Sequence, residues 1–228
     1  GAPCAGSRLR RRESRAYTRA MDTVSTTSPL VARLGADVLR RAVRERYDAV
    51  ATDPRGHYNF QVGRAFAEAL GYPRDLLDRL PPSSVERFTG VATPVFSAEL
   101  QPRERVLDLG CGAGVDSAVA AGAVGPSGRV LAVDLAPKMA RQTAAMRDAL
   151  QLSQVAVYQA SADALPLASA TVNCVVVNGL FNLVPERARA LAEAARILRP
   201  GGRMVAAKTV LTRPLGEEEL SSVDDWFR

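Results

Sequence analysis

Residues Arg105–Asp116, RVLDLGCGAGVD, decide how the rest of the chain is read. An apolar pair, Val106-Leu107, leads into Asp108, and Gly110, Gly112 and Gly114 follow at alternate positions. An Ala- and Val-rich stretch of helical composition comes next. A strand, a tight glycine turn and a helix start have this form. Glycine lets the chain turn sharply and lets a ligand reach main-chain N–H groups with no Cβ in the way. The next apolar run, 129–133, ends at Asp134, which falls 20 residues after Gly114. An acid at the tip of a second strand is where nucleotide-binding folds grip two ribose hydroxyls. The spacing is G-x-G-x-G rather than the G-x-G-x-x-G of dinucleotide folds, and no G-K-S/T follows to suggest a nucleoside triphosphate.

Outward from this stretch, apolar runs alternate with helical ones. Strands are expected at Arg105–Leu109, 130–134, Val155–Gln159, 171–177 and 204–210. Helices are expected at 115–123, 137–150 and 186–198, with a last one at 216–227. Such alternation means an α/β fold: a Rossmann-like, doubly wound parallel sheet with helices on both faces. Right-handed crossovers leave the order 3-2-1-4-5. Ahead of the first strand, Leu30, Val31, Leu34, Val38, Leu39, Val43 and Tyr47 recur at helical spacing and predict one helix over 29–51. Shorter helices are expected at 62–70, ending on Gly71, and at 76–80 and 83–88. The division is then a basic tail over 1–20, an N-terminal helical segment over 21–100 that serves as a lid, and the core over 101–228.

Composition narrows the function. The chain has 228 residues, 47% hydrophobic and 24% charged, which suits a globular domain. No apolar run is long enough to span a bilayer. The net charge is +6, but residues 1–20 hold six Arg and one Glu and so carry +5 of it. The nearly neutral remainder excludes a basic nucleic-acid groove. Met21 is the expected natural start, and the tail is left out of fold reasoning. Cys4, Cys111 and Cys174 match no zinc or disulfide spacing, which fits a reducing cytoplasm. His57 is the sole histidine, so a multi-His metal site is excluded.

Asp108–Gly114 (DLGCGAG), Asp134 and the later Leu198-Arg199-Pro200-Gly201-Gly202 resemble the class I S-adenosylmethionine-dependent methyltransferases, over roughly residues 105–209. That family's core adds a helix and a two-strand hairpin after strand five; only 216–227 remains for them, so a C-terminally truncated core is expected. The resemblance implies S-adenosylmethionine as cofactor. It places the backbone of Gly110, Cys111, Gly112 and Gly114 against the methionyl end, Asp108 on the ammonium group and Asp134 on both ribose hydroxyls. Leu135 and Met139 would sandwich the adenine. Asp116 would either favour the helix start or orient the methionyl group. Ser161 stands where the family often has an acid, Asp163 is displaced by two, and Ala162 still offers its N–H. Asn173 replaces the acid common at the start of strand four, and Asn178 completes the cofactor set.

The flanks are similar to the arsenite methyltransferase family: Val43–Tyr47 (VRERY), Ala69–Pro73 (ALGYP), and Asn178–Leu183 (NGLFNL) followed by Pro185. That chemistry needs several thiolates around As(III), a soft centre. Here Gly179 holds the cysteine position, the stretch 89–94 contains no cysteine, and Cys174 lies inside a strand. The resemblance therefore implies a methyltransferase acting on a small-molecule nucleophile, with arsenite not the expected acceptor. A non-catalytic cofactor-binding or regulatory paralogue is the alternative, and the glycine spacing argues against an NAD-dependent reductase. Tyr47, His57 and Asn182 are candidates to reach the substrate pocket, but no catalytic dyad is visible from spacing.

Overall fold

The computed structural model describes residues 28–210 and 222–227. The tail 1–20, Cys4, Met21 and the first part of the expected helix 216–227 lie outside the described residues. Five parallel strands form the sheet: β1 (Arg105–Leu109), β2 (Arg129–Asp134), β3 (Val155–Gln159), β4 (Val172–Asn178) and β5 (Leu198–Ala207). Their order is β3-β2-β1-β4-β5, as the alternation predicts.

Strand periodicity explains the two-sided core. Successive side chains point to opposite faces, so a strand covered on both sides must be apolar throughout. On one face, Val106, Val130, Ala132, Cys174 and Val176 pack with Ala120, Ala121 and Val124. These alanines and Val124 belong to the helix that follows β1, Val115–Val124. On the other face, Leu107, Leu109, Leu131, Val133, Val175 and Val177 pack with Ala190, Ala194 and Ile197 of the helix Arg187–Ile197. Burying each such Val or Leu is worth roughly 1.5–3 kcal/mol. Asp108 falls on the first face, at the end of β1, where Ser117 meets it.

In chain order the helices are α1 (Pro29–Leu34), α2 (Ala36–Thr52), α3 (Arg64–Ala69), α4 (Arg74–Asp78), α5 (Pro82–Val85), α6 (Pro94–Ser97), α7 (Val115–Val124), α8 (Pro137–Ala149) and α9 (Arg187–Ile197). The helix expected over 29–51 is two, because Gly35 takes φ 83° and ψ 147° and breaks the ladder between α1 and α2. β5 starts earlier than expected and ends at Ala207. Leu198 pairs with Val172, the Pro200-Gly201-Gly202 turn bulges, and Arg203 resumes opposite Cys174. Asn173 lies within β4, and its Oδ1 accepts the Arg105 N–H at 3.0 Å, tying the start of β1 to its neighbour. A last 3-10 turn, Val223–Phe227, returns to pack Trp226 and Phe227 on Leu30, Leu39 and Val43.

Gly114 caps α7 in the left-handed region, at φ 90° and ψ 14°. A Cβ there would lie 2.7 Å from Met146 Cε and 3.1 Å from Thr143 Oγ1. Gly122, inside α7, is exposed and has open space around it. Gly114→Ala should therefore cost about 1–3 kcal/mol through left-handed strain. Gly122→Ala should stabilise by about 0.5–1 kcal/mol through helix propensity. Urea unfolding of the two variants beside the parent checks both signs.

Candidate functional site

The C-terminal ends of β1, β2 and β4 open into one cleft with two arms. The larger arm encloses about 770 Å³, open to solvent at its mouth, and the smaller about 340 Å³. Thr89, Gly110, Gly112 and Asn178 line both, so the arms are continuous. Ligand sites in open parallel sheets fall at this end of the strands.

The glycine turn builds the floor. Gly110 and Gly112 take φ 83° and 54°, and Gly112 has no heavy atom near the position a Cβ would take. The Gly110 and Cys111 N–H groups both donate to the Val133 carbonyl, pulling the turn onto β2. The Thr143 hydroxyl donates to the Gly112 carbonyl at 2.8 Å, and Cys111 Sγ lies 3.5 Å from that hydroxyl. Burial raises the Cys111 thiol well above its ordinary pKa, which leaves it a packed, inert group.

Three carboxylates sit around this floor. Asp134 Oδ2 accepts the Gly112 N–H and Oδ1 accepts the Ala136 N–H, both at 2.8 Å. An ionised carboxylate has about four lone-pair sites, so each oxygen keeps capacity for a second donor. Asp108, 2% exposed, accepts the Ser117 hydroxyl at 2.5 Å. Asp116 accepts the Tyr72 hydroxyl at 2.5 Å on Oδ1 and the Asn178 amide at 2.9 Å on Oδ2. Asp108 and Asp116 line the smaller arm together, and no Lys, Arg or His is among its lining residues. Burial raises all three acids, Asp134 to about 6. Repulsion from Asp116 pushes Asp108 further. The arrangement favours a cation in the smaller arm and hydroxyl donors beside Asp134.

Asn178 does more than line the cleft. Its Oδ1 accepts the N–H groups of Val91 and Ala92, and its Nδ2 also donates to the Ala92 carbonyl at 2.9 Å. Its amide is thus committed to holding the 89–92 loop against β4. Gly90 is needed beneath it, since a Cβ there would lie 2.4 Å from Asn178 Nδ2.

Of the residues expected from sequence, Asp134, Leu135, Ser161, Ala162, Gly110 and Gly112 line the larger arm, while Asp108, Cys111 and Asp116 line the smaller. Two of the expected residues lie outside both linings. Met139 is fully buried and packs with Val50, Ala51, Ala113 and Ala136, so it does not face the cleft. α8 starts at Pro137, and that phase turns Met139 inward. Gly114 lies in neither lining; it serves the packing of α7 on Thr143 and Met146. His57 is exposed and Asn182 is half-buried, and neither lines the cleft.

Sequence reasoning missed three groups. Tyr72 orients Asp116, and only its place in the ALGYP stretch marked it. Thr89 stands where the two arms meet. Arg40, on the cleft-facing side of α2, bridges Asp163 at 2.9 Å and Glu186 at 2.5 Å. That pairing explains the displaced acid: the Asp163 charge answers an arginine from the N-terminal segment. The other end of α2 is fixed where Asp48 Oδ1 accepts the Lys138 N–H at 2.8 Å.

The chain is similar to known methyltransferases. A family model described as a methyltransferase domain matches residues 106–202. An arsenite methyltransferase of Halobacterium salinarum is 34% identical over 206 residues, covering 83% of this chain and 52% of that protein. A demethylmenaquinone methyltransferase of Bacillus cereus is 32% identical over 111 residues, 49% of this chain and 47% of that one. The crystal structure of an arsenic(III) S-adenosylmethionine methyltransferase from Chlamydomonas reinhardtii matches at TM-score 0.58 and 33% identity, over 64% of this chain and 51% of that chain. The chain spans about half the length of each of these proteins.

The raised acids predict a pH dependence. A carboxyl whose folded pKa lies above its unfolded value binds more protons in the native state, so stability falls as pH rises through that window. Here the window opens near the ordinary carboxylate range and extends past about 6, where Asp134 titrates. The melting temperature of the ligand-free protein should fall between pH 5 and pH 8. Asp108→Asn keeps an acceptor for Ser117 and removes one of two repelling charges. It should raise the melting temperature at pH 8 by about 2–4 °C for each kcal/mol of relieved repulsion in a chain of this size. Calorimetry of both proteins across that range checks the sign.

Proposed function

We propose that this chain, which belongs to the class I S-adenosylmethionine-dependent methyltransferases, moves a methyl group from that cofactor to a small-molecule nucleophile. The observation that carries the reading is the two-armed cleft, with an acid pair at one end and Asp134 in the other arm. The donor set fits the cofactor. Its ribose diol needs a bidentate acceptor, which Asp134 supplies. Its ammonium group needs buried negative charge, which Asp108 and Asp116 supply. Its adenine needs an apolar slot, for which Leu135 and the Ala160–Ala162 backbone are placed.

When bound, the cofactor supplies an already activated sulfonium methyl, so a protein needs mainly to orient the partners and exclude water. In this chain, Asp134 fixes the nucleoside end. Tyr72 and Asn178 hold Asp116 so that its charge points into the smaller arm. Thr89, Gly179 and Leu180 form the wall near the junction, where the acceptor would approach. No ionisable side chain lies among those three residues, so the acceptor would arrive with its lone pair available.

Arsenite is not the acceptor this reading favours. A Cβ at Gly179 would lie 3.2 Å from Val91 Cγ1, so this position and the 89–94 stretch do converge, but they bring methyl groups together rather than thiols. Cys174 is fully buried in β4, paired in register with Val106. It sits four residues before Asn178, about 13 Å below the strand tip at 3.3 Å per residue. Among the described residues, Cys111 and Cys174 therefore cannot share one ligand.

Two measurements test the proposal. Asp134→Ala should weaken binding of S-adenosylhomocysteine, the demethylated product, by about 1.5–3 kcal/mol, the range for hydrogen bonds to a charged group. Equal affinity in calorimetry would remove Asp134 from the site. Incubation with arsenite, glutathione and cofactor should yield little methylated arsenic; robust turnover that survives Cys174→Ser would show that the acceptor assignment is wrong.

A further inference from the structure

The cleft-facing stripe of α2 consists of Arg40, Val43 and Tyr47, at positions i, i+3 and i+7. The helix is held to the core at both ends, by Arg40 on Asp163 and Glu186 and by Asp48 on Lys138. Between these clamps stands Tyr47. Its ring stacks on Phe60 with centroids 5.7 Å apart and planes 12° from parallel, and Phe60 stacks in turn on Tyr58 at 5.6 Å. The ring position is therefore fixed without help from the hydroxyl. That hydroxyl has no hydrogen-bond partner among the described residues, although Tyr47 is half-buried and lines the same arm as Asp134. The other phenols named in the front segment are satisfied: Tyr58 donates to Asp53 and Tyr72 to Asp116.

Tyr47 lines the cleft and its hydroxyl is not committed to the protein, so that donor is free for a ligand. We infer that Tyr47 is a cofactor-positioning residue, its hydroxyl donating to the ribose diol that Asp134 also holds. The inference rests on the reading of the cleft as an S-adenosylmethionine site. Its chemistry is complementary. Each ribose hydroxyl carries one hydrogen and two lone pairs. Asp134, ionised, takes the hydrogens. The lone pairs are left for a donor, and the Tyr47 hydroxyl in the same arm can supply it. Burial and the nearby Asp134 charge raise the Tyr47 phenol above its ordinary pKa, so it remains protonated and keeps that donor. The contact makes α2 part of the binding site and not merely a cover.

Tyr47→Phe keeps the ring stack and removes only the hydroxyl. The full chain and this variant should melt within about 2 °C of each other without ligand. In calorimetry at pH 7, the variant should bind S-adenosylhomocysteine about 3- to 10-fold more weakly, the loss of one neutral hydrogen bond. The same pair is then titrated with the analogue lacking both ribose hydroxyls. There the difference should vanish, because no lone pair remains to receive the phenol. A merely structural tyrosine would give the same loss with both ligands, or none with either, and each result overturns the inference. If the unsubstituted chain binds neither ligand, the cofactor reading itself fails. If it binds and Tyr47→Phe matches it, only the role of Tyr47 fails.

Discussion

The hydrogen bond from the Gly112 N–H to Asp134 Oδ2, 2.8 Å long, joins the two strand ends on which the cleft depends. It exists because the turn after β1 runs through left-handed backbone at Gly110 and Gly112 and so presents an N–H to the tip of β2. The same carboxylate accepts the Ala136 N–H and shapes the entry into α8. One acid thus sets the depth of the turn and the start of a helix, and it keeps lone pairs for a ligand. Losing it would loosen the floor.

A second constraint closes the opposite wall. The Asn178 side chain bonds the Val91 and Ala92 backbone, the Ala92 carbonyl and Asp116, which ties the tip of β4, the 89–92 loop and Asp116 into one unit. Tyr72, brought in from the helical front segment, completes that unit through Asp116 and packs edge-on to Phe88 at 5.0 Å. The front segment is therefore built into the cleft: Tyr72 holds Asp116, Phe88, Thr89 and Gly90 line the smaller arm, and Arg40, Val43 and Tyr47 line the larger. Holding three acids in so small a volume costs stability in the empty protein. A cation brought between Asp108 and Asp116 would offset part of that cost.

Much of the fold could be read from the sequence because strand and helix periods are local. The runs around Val106, Val130, Val155 and Val175 alternate with helical stretches, and the crossover rule then fixes the strand order. Asp134, Asp108 and the turn glycines were legible for the same reason: they sit at the ends of those runs. What sequence could not give was the reach of side chains across elements. Met139 has the composition of an adenine contact, but the phase of α8 from Pro137 sends it into the core. Asn178 reads as a ligand residue, yet its amide is spent on a loop 86 and 87 positions earlier. The pairing of Arg40 with Asp163 spans 123 positions, so no local pattern could reveal it. The break at Gly35 was visible as a residue, but seven apolar positions at helical spacing outweighed it.

The direction in which one ligand lies along the two arms decides whether this cleft is the cofactor site. A crystal structure of the chain with S-adenosylhomocysteine tests it most directly. The expected density places the ribose diol against Asp134, the adenine beside Leu135 and Ala162, and the amino group between Asp108 and Asp116. Density with the nucleoside in the arm lined by Asp108 and Asp116, or a ligand bound away from Gly110 and Gly112, would contradict the account.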